Sequence, residues 1–111
     1  MAYDEKTAER VREILSRRRG VVERKMMGTL SFAVDGVMCC CVRGDGLMVR
    51  VDASGRERAL GEPHTKPIAM QGRVMKSFLL AGAEGIVTNS ALGQWIKRGL
   101  DVAASSAPFS K

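Results

Sequence analysis

Two tight glycine turns constrain this chain more than any other feature. Asp35-Gly36 separates two runs of strand-like alternation, residues 29–34 and 37–43, and Gly44-Asp45-Gly46 separates the second run from a third at 47–51. Asp-Gly between alternating apolar runs is a strong hairpin signal, because Gly tolerates the positive φ that a two-residue turn demands. Within 29–34, Leu30, Phe32 and Val34 alternate with Thr29, Ser31 and Ala33, the period of a strand with one face in a core. Links this short join antiparallel neighbours. Three such strands form a meander, and residues 22–26, stopped by Gly28, continue it as a fourth.

Helical periodicity brackets the strands. Residues 4–18 are predicted as a helix with Asp4 as N-cap, and with Thr7, Ala8, Val11, Ile14 and Leu15 on one apolar face. Glu13 and Arg17 stand at the favourable i,i+4 spacing, Arg17 to Arg19 fall in the last turn, and Gly20 takes the position after the helix. Residues 52–60 read as a short helix ended by Gly61 and Pro63, and 61–67 as a loop by composition. Gly72 ends the next short stretch, 74–80 is another strand, and 82–87 is a connection. A last helix begins near Thr88, Asn89 or Ser90 and places Leu92, Trp95, Ile96, Gly99, Leu100 and Ala103 on one face.

The expected architecture is therefore α+β in two layers: an antiparallel sheet of about five strands with the N- and C-terminal helices packed on one face. Its other face must meet water or a partner. Residues 1–104 are expected to form a single domain, and 105–111 a flexible tail. With 111 residues, 45% hydrophobic and only 5% aromatic, the chain can support one mostly aliphatic core in which seven methionines act as gap-fillers.

No apolar run approaches the roughly 20 residues of a membrane span. The first residues, Met1-Ala2-Tyr3-Asp4-Glu5-Lys6, lack the apolar stretch of a secretory signal. Cys39, Cys40 and Cys41 are consecutive, and three cysteines in a row close no loop, which favours a reducing compartment. The expectation is a cytoplasmic protein without membrane contact.

The same triplet is the most conspicuous candidate for chemistry. On a regular strand Cys39 and Cys41 share one face and Cys40 takes the other. With His64 they supply four atoms of the type that binds zinc, but in a geometry that cannot converge. A mid-strand thiol lacks the helix N-terminus that lowers a cysteine pKa, and Arg43 is the one neighbouring cation, so small buried hydrophobes are the better reading. His64 lies in the Pro-bounded loop without a nucleophile motif, and Gly44-Asp45-Gly46 lacks the GxxxxGK[ST] pattern of a phosphate loop. No catalytic, cofactor or metal residue is assigned, and no enzyme activity is expected.

Charge supplies the remaining candidates. The formal net charge is +6, which permits attraction to nucleic acid or acidic partners. Arg17, Arg18 and Arg19 form the one dense cluster, suited to a helix C-terminus and also to phosphate. Lys25, Arg50 and Lys76 stand on predicted strands. Arg50 lies between Val49 and Val51, and points to the open sheet face if those valines face the helices.

Taken in order, Lys25-Met26-Met27-Gly28-Thr29-Leu30-Ser31-Phe32, Asp35-Gly36-Val37-Met38-Cys39-Cys40 and Leu47-Met48-Val49-Arg50-Val51 resemble the N-terminal domain of TfoX (Sxy), the bacterial competence regulator. Pro67, Gly72-Arg73-Val74-Met75-Lys76-Ser77-Phe78 and the helix bearing Trp95 continue the likeness over nearly the whole chain. The resemblance implies a two-layer α+β fold and a non-enzymatic regulatory or adaptor role through protein contacts in transcription, beside the cyclic-AMP receptor protein and RNA polymerase. It carries over no catalytic residue or cofactor. Full-length members add a C-terminal helical domain, so a stand-alone copy is expected, for which the competence role itself need not hold. Direct nucleic-acid binding is the alternative function, followed by a thiol-dependent or small-molecule enzyme. An open sheet face also suits a homodimer.

Overall fold

The first helix, α1, runs from Glu5–Leu15 and begins where its cap predicts: Asp4 accepts hydrogen bonds from the Thr7 amide at 3.0 Å and the Thr7 hydroxyl at 2.7 Å. It stops at Leu15, with Ser16 as its C-cap. Arg17 to Arg19 therefore lie beyond the helix in an exposed turn that Gly20 closes at φ 81°, which corrects their placement in its last turn. Glu13 makes no ion pair with Arg17; Arg12 instead pairs with Glu9 on its own helix and with Glu23 on the sheet.

In the computed structural model, residues 3–26, 28–70 and 72–105 are described. The meander is β1 (Val21–Met26), β2 (Thr29–Val34), β3 (Val37–Arg43) and β4 (Gly46–Arg50), each antiparallel to the next. Asp35 and Gly36 both take positive φ, at 53° and 86°, the conformation the hairpin signal required. After α2 (Ala53–Leu60), capped by Asp52, the chain forms β5 (Thr65–Met70) and β6 (Arg73–Ala81). A short 3-10 turn at Ala83–Ile86 leads into α3 (Asn89–Ser105), whose first turn is capped by Thr88 accepting from the Ala91 amide. Of the expected tail, residues 106–111 lie outside the described residues.

Among the described residues the sheet has six strands, where about five were expected, in the order β1-β2-β3-β4-β6-β5. The additional strand, β5, begins inside the stretch expected as loop. Pro67 masks it, since proline cannot donate to a ladder. It is tolerated here because β5 is an edge strand, hydrogen-bonded on one side only.

All the helices pack on one face. The main core joins Ala8, Val11 and Leu15 of α1, Ala59 of α2, and Leu92, Trp95, Ile96 and Ala103 of α3 to Leu30, Phe32, Val42, Leu47, Val49 and Leu79 of the strands. A second cluster, Cys41, Met48, Ile68 and Phe78 with Met38, Met75 and Leu80 against it, consists of strand residues alone. It lies on the opposite face, which no helix of the described residues covers. Among the described residues, no helix is long and apolar enough to cross a membrane.

Candidate functional site

Register fixes what the open face presents. Arg24, Ser31, Cys41, Met48, Leu80 and Lys66 are successive partners across all six strands, and residues directly opposite one another share a face. At roughly 4.8 Å per strand, this row crosses the sheet with an apolar stretch of Cys41, Met48 and Leu80 and a cation at each end. The neighbouring row contains Val22, Ala33 and Met38, with Arg50 and Phe78 paired further along the face.

Arg50 is the residue around which this face is organised. Alternation with Val49 and Val51 puts its side chain opposite the helices, as expected from sequence. Its Nε donates to the Met38 carbonyl oxygen, and its guanidinium lies over the Phe78 ring at 4.8 Å from the centroid. Burial lowers the Arg50 pKa from the usual arginine value, yet a guanidinium remains charged at any physiological pH. Beside it opens a hollow of about 610 Å³ lined by Arg50, Arg73, Val74, Met75, Lys76, Ser77 and Phe78. Arg73 and Lys76 are exposed at its rim, and Val74 is 54% exposed. Among the described residues, the lining holds three cations and no carboxylate.

The charge of the sheet extends that pattern. Seven of the 18 Lys and Arg stand in strands, but only one of the 12 Asp and Glu. The remainder of the chain then has eleven of each, so the whole net charge of +6 belongs to the sheet. The one strand carboxylate, Glu23, is a register partner of Phe32, on the helix face, and is held there by two hydrogen bonds from Arg12 at 2.8 Å. This contact holds the Glu23 carboxyl below its ordinary pKa. Among the described residues, no ion pair neutralises the cations of the open face.

Of the six candidate residues, the structure brings together Arg50 and Lys76. Lys25 is the register partner of Leu30 and so falls on the helix side of edge strand β1. Arg17, Arg18 and Arg19 surround the end of α1, where Arg17 lines one shallow hollow with Arg10 and Asn89, and Arg18 another with Arg12 and Glu23. Arg73, Arg24 and Lys66 were not singled out from sequence, although the near-absence of acidic residues from the strands was there to be read.

The cysteines depart from strict alternation. Phe32 pairs with Cys40, whereas Ala33 pairs with Met38, which leaves Cys39 as an extra residue in β3. This β-bulge turns Cys39 and Cys40 both into the helix-side core and leaves Cys41 alone in the open-face cluster. Expected on opposite faces, Cys39 and Cys40 instead lie with their sulfurs 3.8 Å apart. Contact with Cys40, aided by the charge of Arg18, holds the Cys39 thiol below its ordinary pKa; the same contact and burial push Cys40 up, and burial pushes Cys41 up. All three are free thiols and buried. Among the described residues, no group of three or more His, Cys, Asp and Glu is placed to hold a metal ion. His64 faces Glu84, Nδ1 to Oε1 3.3 Å, at an exposed corner.

No curated protein and no solved structure matches the chain. The profile of the TfoX N-terminal domain does, from residue 13 to residue 103 of the 111, a span running from within α1 to near the end of α3 and taking in the whole sheet. By that match the chain belongs to the TfoX N-terminal domain family.

Proposed function

We propose that this domain is a non-enzymatic adaptor that regulates transcription by docking a protein partner on its open sheet face. The observation that carries the reading is the asymmetry of the sheet: one face is filled by the helices, and the other sets an apolar centre among unneutralised cations. Family membership supports a regulatory context, since the resemblance to the competence regulator implies work beside the transcription machinery. A low-exposure apolar centre with charged margins is the composition of a recognition surface, where apolar anchors supply affinity and rim charges set orientation and rate.

Direct binding of nucleic acid is the second reading, and the sheet's net charge favours it. Single strands bound on a sheet face need exposed aromatic rings on which bases stack. Among the described residues, the aromatic on this face is Phe78, which is 3% exposed and lies under the Arg50 guanidinium. The geometry therefore favours a protein. The burial of all three thiols likewise disfavours a thiol enzyme.

Deletion in the host, followed by transcript sequencing and complementation, tests the proposal. Deletion is expected to change a defined set of transcripts, which the wild type restores and Arg73→Glu/Lys76→Glu does not. Unchanged transcripts on deletion, or full rescue by the charge-reversed protein, would remove the reading.

A further inference from the structure

The hollow beside Arg50 has a chemistry that narrows the partner. Its apolar lining is Val74 and Met75, with Phe78 buried beneath Arg50, its walls carry Arg50, Arg73 and Lys76, and no carboxylate of the described residues enters it. Methionine adapts its shape to unlike apolar groups, and an arginine already stacked on an aromatic ring presents its remaining N–H donors in a fixed plane. Such a site takes a carboxylate and an apolar side chain from one short stretch of chain. A bare polyanion would leave the apolar lining uncovered, and a purely apolar segment would leave the cations desolvated without partners, which costs free energy.

We infer that the Arg50–Phe78 hollow is the docking site for an acidic protein segment whose glutamate or aspartate side chains alternate with large apolar ones. The carboxylates pair with Arg73 and Lys76 at the rim, and the apolar side chain lies on Val74 and Met75. Charge complementarity selects this occupant: the strands contribute a net +6, and the rest of the chain is neutral. A second copy meeting this face with the same face would bring two cation-rimmed surfaces together, and like charges repel across an interface. The inference rests on the docking role proposed above and specifies its chemistry.

The test is a titration of the isotope-labelled chain, followed by amide chemical shifts. The probes are a glutamate-rich peptide with leucine and phenylalanine interspersed, polyglutamate of equal charge, and a single-stranded oligonucleotide and a duplex of equal charge. The mixed peptide is expected to saturate shifts centred on Arg50, Met75, Lys76 and Phe78, with polyglutamate weaker by on the order of tenfold, equivalent to about 1.4 kcal/mol. Arg73→Glu/Lys76→Glu alters only exposed positions, leaves the rest of the spectrum in place, and is expected to weaken the peptide at least about tenfold. Absence of saturable shifts in the hollow, equal binding of polyglutamate, or tighter binding of either nucleic acid at these residues would each overturn the inference. If the charge-reversed strain stays deregulated while the peptide fails, the docking face stands and only the acidic-apolar chemistry is lost.

Discussion

The Cβ that Gly99 lacks would collide with the Cys39 carbonyl oxygen and lie 3.2 Å from the Cys39 carbonyl carbon. Cys39 is the bulged residue of β3, so the kink that turns two thiols into the core also pushes backbone toward α3. Gly99 is where the helix accepts it. The contact joins the helix layer to the middle of the sheet at backbone distance.

Two substitutions in α3 should consequently have opposite signs. Gly→Ala in a helix normally stabilises by up to about 1 kcal/mol, and Gly93→Ala should do so, since its Cβ meets nothing within 4 Å. Gly99→Ala should instead destabilise by about 1–3 kcal/mol, the usual range for forcing extra volume into a packed core. Urea midpoints of the two variants against the wild type check this, and a stabilised Gly99→Ala would contradict the close packing of α3 on the bulge.

Much of this architecture was legible from particular residues. Asp35-Gly36 located the hairpin because positive φ is a local demand, and Asp4 located the start of α1 for a similar reason. The position of Arg50 on the open face followed from alternation alone. The bulge was not legible, because it depends on which partner strand register survives packing, and nothing in Met38-Cys39-Cys40-Cys41 announces an extra residue. Strand β5 was hidden by Pro67, whose tolerance depends on an edge position that only the completed sheet defines. The grouping of Arg73 with Arg50 also needed the hairpin of β5 and β6, a tertiary fact.

Arg10 fastens α1 to the start of α3. Its Nη2 donates to the carbonyl oxygens of Ile86 at 2.7 Å and Val87 at 3.1 Å, and its Nε donates to Asn89 Oδ1 at 3.0 Å. Arg10→Ala should destabilise by about 1–2 kcal/mol, since charged donors form the stronger hydrogen bonds. Arg10→Lys should recover only part of that, because an ammonium cannot span the three acceptors as a planar fork does. Thermal unfolding of both variants decides it; equal stability of Arg10→Lys and wild type would mean that charge alone matters.

Acid should weaken the fold through two carboxylates. Hydrogen bonds from Thr7 lower the Asp4 pKa, and hydrogen bonds from Arg12 lower that of Glu23. A depressed folded pKa gives stability that is present above the unfolded value and lost as pH falls through the folded one. Denaturant midpoints should thus be flat near neutral pH and fall below about pH 4. Glu23→Gln should flatten part of that fall at a neutral-pH loss of less than about 1 kcal/mol, because the Glu23 side chain is 37% exposed and its pair is screened by water. An unchanged acid slope in Glu23→Gln would mean that Arg12 does not hold Glu23 in solution.

The cysteines oppose two influences on reactivity, and their burial decides the outcome. The Cys39 thiol is held below its ordinary pKa, which favours the nucleophilic thiolate. Cys39 and Cys40 are nevertheless 0% exposed and Cys41 3%, so a reagent must wait for the sheet to open. In native buffer all three should react with an aromatic disulfide reagent far more slowly than a free thiol, and all three promptly in denaturant. The native rate should follow the opening equilibrium, so Gly99→Ala, which loosens α3 from the bulge, should raise it for Cys39 and Cys40 by about tenfold per 1.4 kcal/mol of lost stability. Rapid labelling of Cys39 in the intact wild type, with Cys40 protected, would show that the lowered pKa acts through an accessible path and would reopen a redox role for the bulge.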